Sequence, residues 1–216
     1  MPVARTPADD GFFMPAEWEP HERCWMQWPC RGEVWGEQLP QARAAYARVA
    51  RSIAEFEPVS MICRPGEEAE ARLACGRGVE IVPLPIDDSW ARDTGPIFVI
   101  DGKGQVAGTH WGFNGWGNAY HGYENDAKLG GRLLDHLGMR KYRGEQVLEG
   151  GSISVDGFGT LLTTEECLLN DNRNPELTRQ QIEENLALML GVSRIIWLDL
   201  GLEDDETSGH VDMIAS

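Results

Sequence analysis

The feature that most constrains the fold is an internal repeat. One segment begins at Asp93 and runs through Gly95, the apolar run 97–100, the turn Asp101-Gly102-Lys103-Gly104 and a returning strand. A second begins at Glu149 and runs through Gly150-Gly151, the strand 153–155, the turn Asp156-Gly157-Phe158-Gly159 and a returning strand at 160–163. Each copy reads as an acidic residue, a glycine, a strand, a D-G-x-G hairpin turn and a second strand. A helix and one more strand follow. The unit is therefore β-β-α-β, with a period of about 56 to 63 residues. A further copy begins at His210-Val211-Asp212.

Helices and strands alternate around this frame. Residues 37–57 predict a helix whose Leu39, Ala42, Tyr46, Val49, Ile53 and Phe56 form one apolar stripe. Strands are expected at 59–63 and 79–84, with a weaker helix at 64–76 between them. Residues 124–137 predict a helix capped by Gly138. Another opens at Asn174-Pro175, buries Ile182, Leu186 and Met189, and ends at Gly191. Residues 194–200 then predict a strand with a buried Ile195-Ile196-Trp197 run. The fold class is α/β.

Asp93, Glu149 and Asp212 stand at equivalent places in successive units, so units arranged about an axis bring them to one end of it. A ring of carboxylates beside His210 suits a guanidinium, which is planar, permanently charged and presents five N–H donors. The same residues match a metal-ligand set. Taken singly, each has a plain structural reading: Asp93 as a turn or surface ion-pair residue, Glu149 as part of a loop.

Composition narrows the partners. A formal charge of −16 opposes nucleic acid and anionic membranes and attracts cations, although acidity for solubility alone is the commoner cause. No stretch is long and apolar enough to cross a bilayer. Residues 1–10 contain no apolar signal-peptide core, which makes a cytoplasmic location the default expectation. The five cysteines (Cys24, Cys30, Cys63, Cys75, Cys167) are odd in number and include no C-x-x-C pair, the pattern of reduced thiols. Oligomeric state is not legible, and a homo-oligomer remains open.

Four motifs in order resemble the agmatine deiminases. They are Met14-Pro-Ala-Glu-Trp-Glu-Pro-His21-Glu-Arg-Cys-Trp-Met-Gln-Trp-Pro29, Asp88-Ser-Trp90-Ala-Arg-Asp93-Thr-Gly-Pro96, Leu148-Glu149-Gly-Gly-Ser152 and Asp205-Glu-Thr-Ser-Gly-His210-Val-Asp212. The resemblance implies a pentein fold, a five-bladed α/β propeller of ββαβ units. About three of the five would be present, with residues 1–216 a partial catalytic domain ending at the start of a fourth unit. It implies that Asp93 and Asp212 clamp the guanidinium, that Glu149 and His210 manage protons, that Trp90 flanks the substrate channel and that Glu206 meets the distant amine of agmatine. It implies no metal and no organic cofactor.

The family's nucleophile is a C-terminal cysteine after a glycine-rich stretch and a histidine, and none of the five cysteines stands in that context. The expectation is that these residues alone do not catalyse. Met213 stands where family members commonly carry Asn, which weakens agmatine against other guanidines. Free or peptidyl arginine as substrate, a non-catalytic guanidine-binding fragment and a metalloprotein using His210, Asp212 and Glu149 are the alternatives.

Overall fold

A computed structural model describes residues 5–215. Residues 1–4 of the segment read for a signal peptide, and Ser216, lie outside the described residues. The chain divides into two compact units.

One unit comprises residues 20–91 and 124–129. Its sheet is wholly parallel, in the order β1 (Cys24–Gln27), β2 (Val59–Cys63), β3 (Val79–Pro83). Helices α1 (Leu39–Ile53) and α2 (Glu68–Cys75) make the two crossovers. Every residue of β2 is buried, as expected for a central parallel strand.

The stripe expected on α1 is displaced. Val49 and Phe56 are exposed, Phe56 to 89%, and the helix instead buries Ala47 and Ala50. These alanines share a core with Trp28, Met61, Cys63, Ala71 and Cys75. Small side chains let the helix approach the sheet closely, and the larger apolar residues fall to the side. In this unit Asp126 is buried and accepts from the backbone N–H groups of Asp87 (2.8 Å) and Asp88 (3.1 Å). Asp88 in turn accepts from the indole of Trp35 at 2.9 Å.

Among the described residues, the other unit contains 5–19, 92–123 and 130–215. It holds two sheets of the same plan. In the first, β4 (Ile97–Ile100) pairs antiparallel with β5 (Val106–Gly112), which pairs parallel with β6 (Arg140–Val147). In the second, β7 (Ser154–Val155) pairs antiparallel with β8 (Thr160–Thr164), which pairs parallel with β9 (Arg194–Leu198). Helix α3 (Asp126–His136) crosses from β5 to β6, and α4 (Arg179–Leu190) crosses from β8 to β9.

The two hairpin turns share their hydrogen bonding. Asp101 Oδ1 accepts from Lys103 N (2.8 Å) and Gln105 N (2.9 Å); Asp156 Oδ1 accepts from Phe158 N (2.8 Å) and Thr160 N (2.9 Å). Both glycines of each turn have positive φ, which explains the D-G-x-G pattern.

Two sequence expectations need correction here. Helix α4 is capped by Thr178, not Asn174: Thr178 and Gln181 form a capping box. Asn174 is held out of the helix because its side chain accepts from Val147 N (2.8 Å) and donates to Val147 O (3.0 Å). Strand β9 is not fully buried. It lies at one edge of its sheet, and Ile196 is 37% exposed. The core beneath these sheets includes Val99, Trp111, Ile153, Leu161, Leu168, Ile182 and Leu186. Among the described residues no helix is long and apolar enough to cross a membrane.

Candidate functional site

The repeat places Asp93 and Glu149 at short helical turns that lead into strands, and Asp212 on a similar turn. Asp93 lies in the turn Ala91–Thr94 ahead of β4. Glu149 is the extended residue that opens the 3-10 turn Gly150–Ser152 ahead of β7. Asp212 lies in the 3-10 turn Val211–Met213, opened by His210.

These turns converge. His210 Nδ1 is 3.8 Å from Asp93 Oδ1, and His210 Nε2 is 3.6 Å from Glu149 Oε2. Gly151 lies among them and donates its N–H to Asp93 Oδ1 at 3.1 Å. A Cβ on Gly151 would meet His210 Nδ1 at 2.5 Å, Asp212 Oδ2 at 2.8 Å and Asp93 Oδ1 at 2.9 Å. Glycine is therefore required by space alone. Next to it, a Cβ on Gly150 would collide with the Arg92 carbonyl.

The second oxygen of Asp93 accepts from the Trp116 indole at 3.1 Å. Among the described residues no Arg or Lys forms an ion pair with Asp93. Arg92 Nε stands 3.9 Å from Asp212 Oδ2, beyond hydrogen-bond length. Glu149 is fully buried and neutralised by the equally buried Arg173, whose Nε donates to its two oxygens at 2.9 and 3.2 Å. The same guanidinium donates to Asn172 Oδ1 (2.7 Å) and to the Thr207 carbonyl (2.6 Å). Arg173 thus joins Glu149 to the loop that carries His210.

These surroundings set the protonation states. Burial pushes the Asp93 carboxyl up; His210 opposes that shift and Glu149 adds to it. Burial alone would lower His210, but its interaction with Glu149 and the charges of Asp93, Glu149 and Asp212 prevail and raise it. His210 Nε2 is buried and has no hydrogen-bond partner among the described residues, since 3.6 Å is too long for one. The acceptor that faces it is Glu149, whose two oxygens are already taken by Arg173.

Sequence reasoning missed three residues. Arg173 and Trp116 carry no motif that marks them, although the glycines around Trp116 hint at unusual backbone, and its φ of +54° bears that out. Cys167, read from the sequence only as one of five reduced thiols, lies on the turn Glu165–Leu168. Its thiol sulfur is within 4.8 Å of a Glu149 oxygen and a His210 nitrogen. Burial, then the charge of Glu149, raises its pKa far above the ordinary thiol range. Glu149, Cys167 and His210 are close enough to share a metal ion. The Arg173 charge on Glu149 and the retained thiol proton both oppose one there.

Glu206 is exposed and accepts from the Tyr120 hydroxyl at 2.6 Å. The Tyr120 ring meets Trp116 edge-on at 5.6 Å. Asp93, Trp116, Tyr120 and Glu206 therefore form one continuous line. Trp90 belongs to the other unit, where it stacks on Trp35 with ring centroids 6.2 Å apart.

The buried histidine among three carboxylates sits on repeated β-β-α-β sheets, and comparison with known proteins places a chain of this plan among the deiminases. Residues 13–216 match the model of the Porphyromonas-type peptidyl-arginine deiminases, and the chain belongs to that family, with the α/β fold of the penteins. It is 52% identical over 214 residues to an agmatine deiminase of Pseudomonas aeruginosa, covering 96% of this chain and 58% of that protein. A solved agmatine deiminase of Enterococcus faecalis superposes with a TM-score of 0.94 at 38% identity, covering 97% of this chain and 59% of that one. A substrate-bound C. jejuni agmatine deiminase with a Cys-to-Ser substitution superposes with a TM-score of 0.84 at 29% identity, over 93% and 60% of the two chains. The chain thus spans about 60% of the length of the relatives it matches.

Proposed function

We propose that these residues form the guanidinium-binding part of an enzyme that hydrolyses agmatine to N-carbamoylputrescine and ammonia. The observation that carries this reading is the convergence of Asp93, Asp212 and His210 on Gly151. The two carboxylates and the imidazole draw close around that glycine, so a cation held by Asp93 and Asp212 would lie on the Nδ1 side of His210, with Nε2 turned to Glu149. In this reading residues 1–216 are part of one catalytic domain.

Asp93 and Asp212 accept from the guanidinium N–H groups and fix the central carbon for attack. A cysteine thiolate adds to that carbon. His210, kept protonated by its carboxylates, gives a proton to the departing nitrogen, which leaves as ammonia. The remaining thiouronium is hydrolysed by water, whose proton His210 takes up, and the C–S bond breaks to release the ureido product. Glu149 holds the imidazole charge, and Arg173 holds Glu149.

None of the five cysteines present fits the nucleophile. Four are buried, with Cys167 closest to the site but firmly protonated; Cys24 lies in the other unit. Glu206 at the end of the aromatic line favours an ammonium and disfavours the carboxylate of arginine, which supports agmatine over free arginine. This reading draws further support from the relatives that bear the name agmatine deiminase.

The test measures ammonia from agmatine, arginine and peptidyl-arginine, using a longer chain that carries a nucleophilic cysteine and the 216-residue chain. The longer chain should prefer agmatine and the shorter should release none. Faster turnover of peptidyl-arginine would contradict the substrate. Turnover by the shorter chain that is lost in Cys167→Ser would contradict the nucleophile assignment.

A further inference from the structure

The opening motif 14–29 contributes two residues, His21 and Cys24, to a cluster that the site above does not use. Within the unit of residues 20–91, His21 Nε2 is 2.5 Å from Glu57 Oε2. The Cys24 thiol donates to Glu57 Oε1 at 3.2 Å and its sulfur is 4.0 Å from His21 Nε2. One donor atom from each lies within 4.8 Å of the others.

The backbone holds the ligand-bearing segments together. Cys24 opens β1 and is registered opposite Val59 of β2, and its N–H donates to the Pro58 carbonyl at 2.9 Å. Glu57 is the residue before Pro58, so strand pairing fixes two of the three ligands. The His21 side chain is 52% exposed, which leaves one approach open to solvent.

The geometry points to a divalent metal site of Zn²⁺ type formed by His21, Cys24 and Glu57, with water as the fourth ligand. Zn–S, Zn–N and Zn–O bonds of about 2.0–2.3 Å in a tetrahedron place ligand atoms about 3.3–3.8 Å apart. The 2.5 Å His21–Glu57 and 4.0 Å Cys24–His21 separations lie on either side of that range, and the 3.2 Å Cys24 contact is to the other Glu57 oxygen, so the carboxylate must turn to present one donor atom to the ion. Thiolate and carboxylate together balance the ion's charge, and the neutral imidazole adds a nitrogen donor suited to zinc. The thiol is protonated in the metal-free protein, since burial and the Glu57 hydrogen bond push it up to about 11. Binding replaces that proton, which leaves to solvent. The ion would pin the segment before β1 to the start of β2.

The reduced full chain should be titrated with Co²⁺ under anaerobic conditions, with absorption and thermal unfolding as readouts. One equivalent should produce a thiolate-to-cobalt charge-transfer band and the intense visible bands of a tetrahedral site. Zn²⁺ should abolish the bands, and either ion should raise Tm. Cys24→Ser should remove the charge-transfer band. His21→Ala and Glu57→Gln should each weaken binding by at least the ~10–100-fold that loss of a ligand's supporting partner costs. All three variants should retain the circular dichroism of the parent. The assignment is overturned by the absence of a band, or by a band that survives Cys24→Ser and so belongs to another thiol.

Discussion

Arg173 Nε donates to both carboxylate oxygens of Glu149, at 2.9 and 3.2 Å, and neither side chain reaches solvent. Removing one partner strands the other charge in the interior. Arg173→Met should destabilise the chain by about 3–5 kcal/mol in urea unfolding. Arg173→Met with Glu149→Gln should recover part of that loss, because the stranded charge is gone. Equal stability of the single and double variants would show that the pair is not coupled.

Gly151→Ala probes the convergence of the three turns. Its Cβ has no space beside His210, Asp212 and Asp93. The substitution should abolish deiminase activity in a longer chain carrying the nucleophile. It should also cost about 1–3 kcal/mol of stability, the usual range for overpacking. A fully active variant would mean that these side chains are not held as described.

In that longer chain, Asp93→Ala or Asp212→Ala should each lose roughly 2–5 kcal/mol of transition-state stabilisation, read from kcat/KM. Unchanged kinetics in either variant would contradict the clamp.

Asp126 gives a pH prediction in the other unit. Burial is the main cause that pushes its carboxyl up to about 7, with the Asp87 and Asp88 charges adding to it. A carboxyl raised in the folded state contributes stability below its unfolded pKa and loses it as pH rises through the folded one. Between about pH 4 and 7, the wild type should therefore lose stability relative to Asp126→Asn, by up to a few kcal/mol. Parallel pH–stability curves would refute this.

The fold was legible where local chemistry dictates it. Asp101 and Asp156 each need two backbone N–H partners and two glycines of positive φ, so the repeat could be read from four-residue turns. The α1 stripe was misread because apolar periodicity favours Val49 and Phe56, whereas the sheet accepts only the small faces of Ala47 and Ala50. The same limit applied at the site. Asp93, Glu149, His210 and Asp212 stand in recognisable motifs, but Arg173 reaches Glu149 from 24 residues away. Asn174 resembles a helix cap in sequence because nothing local shows that its amide is committed to Val147.

If Asp93 and Asp212 hold a guanidinium against His210, the imidazole of His210 reports on it directly. NMR of the ring nitrogens should be followed against pH and against added agmatine. His210 should titrate above the ordinary histidine range, because its carboxylate neighbours outweigh its burial. The stability it contributes should be present below the unfolded pKa and fade as pH rises through the folded one. Agmatine should shift its resonances, and Asp93→Asn or Asp212→Asn should remove that response. Resonances indifferent to saturating agmatine, or a response that survives both substitutions, would rule out guanidinium binding by these carboxylates.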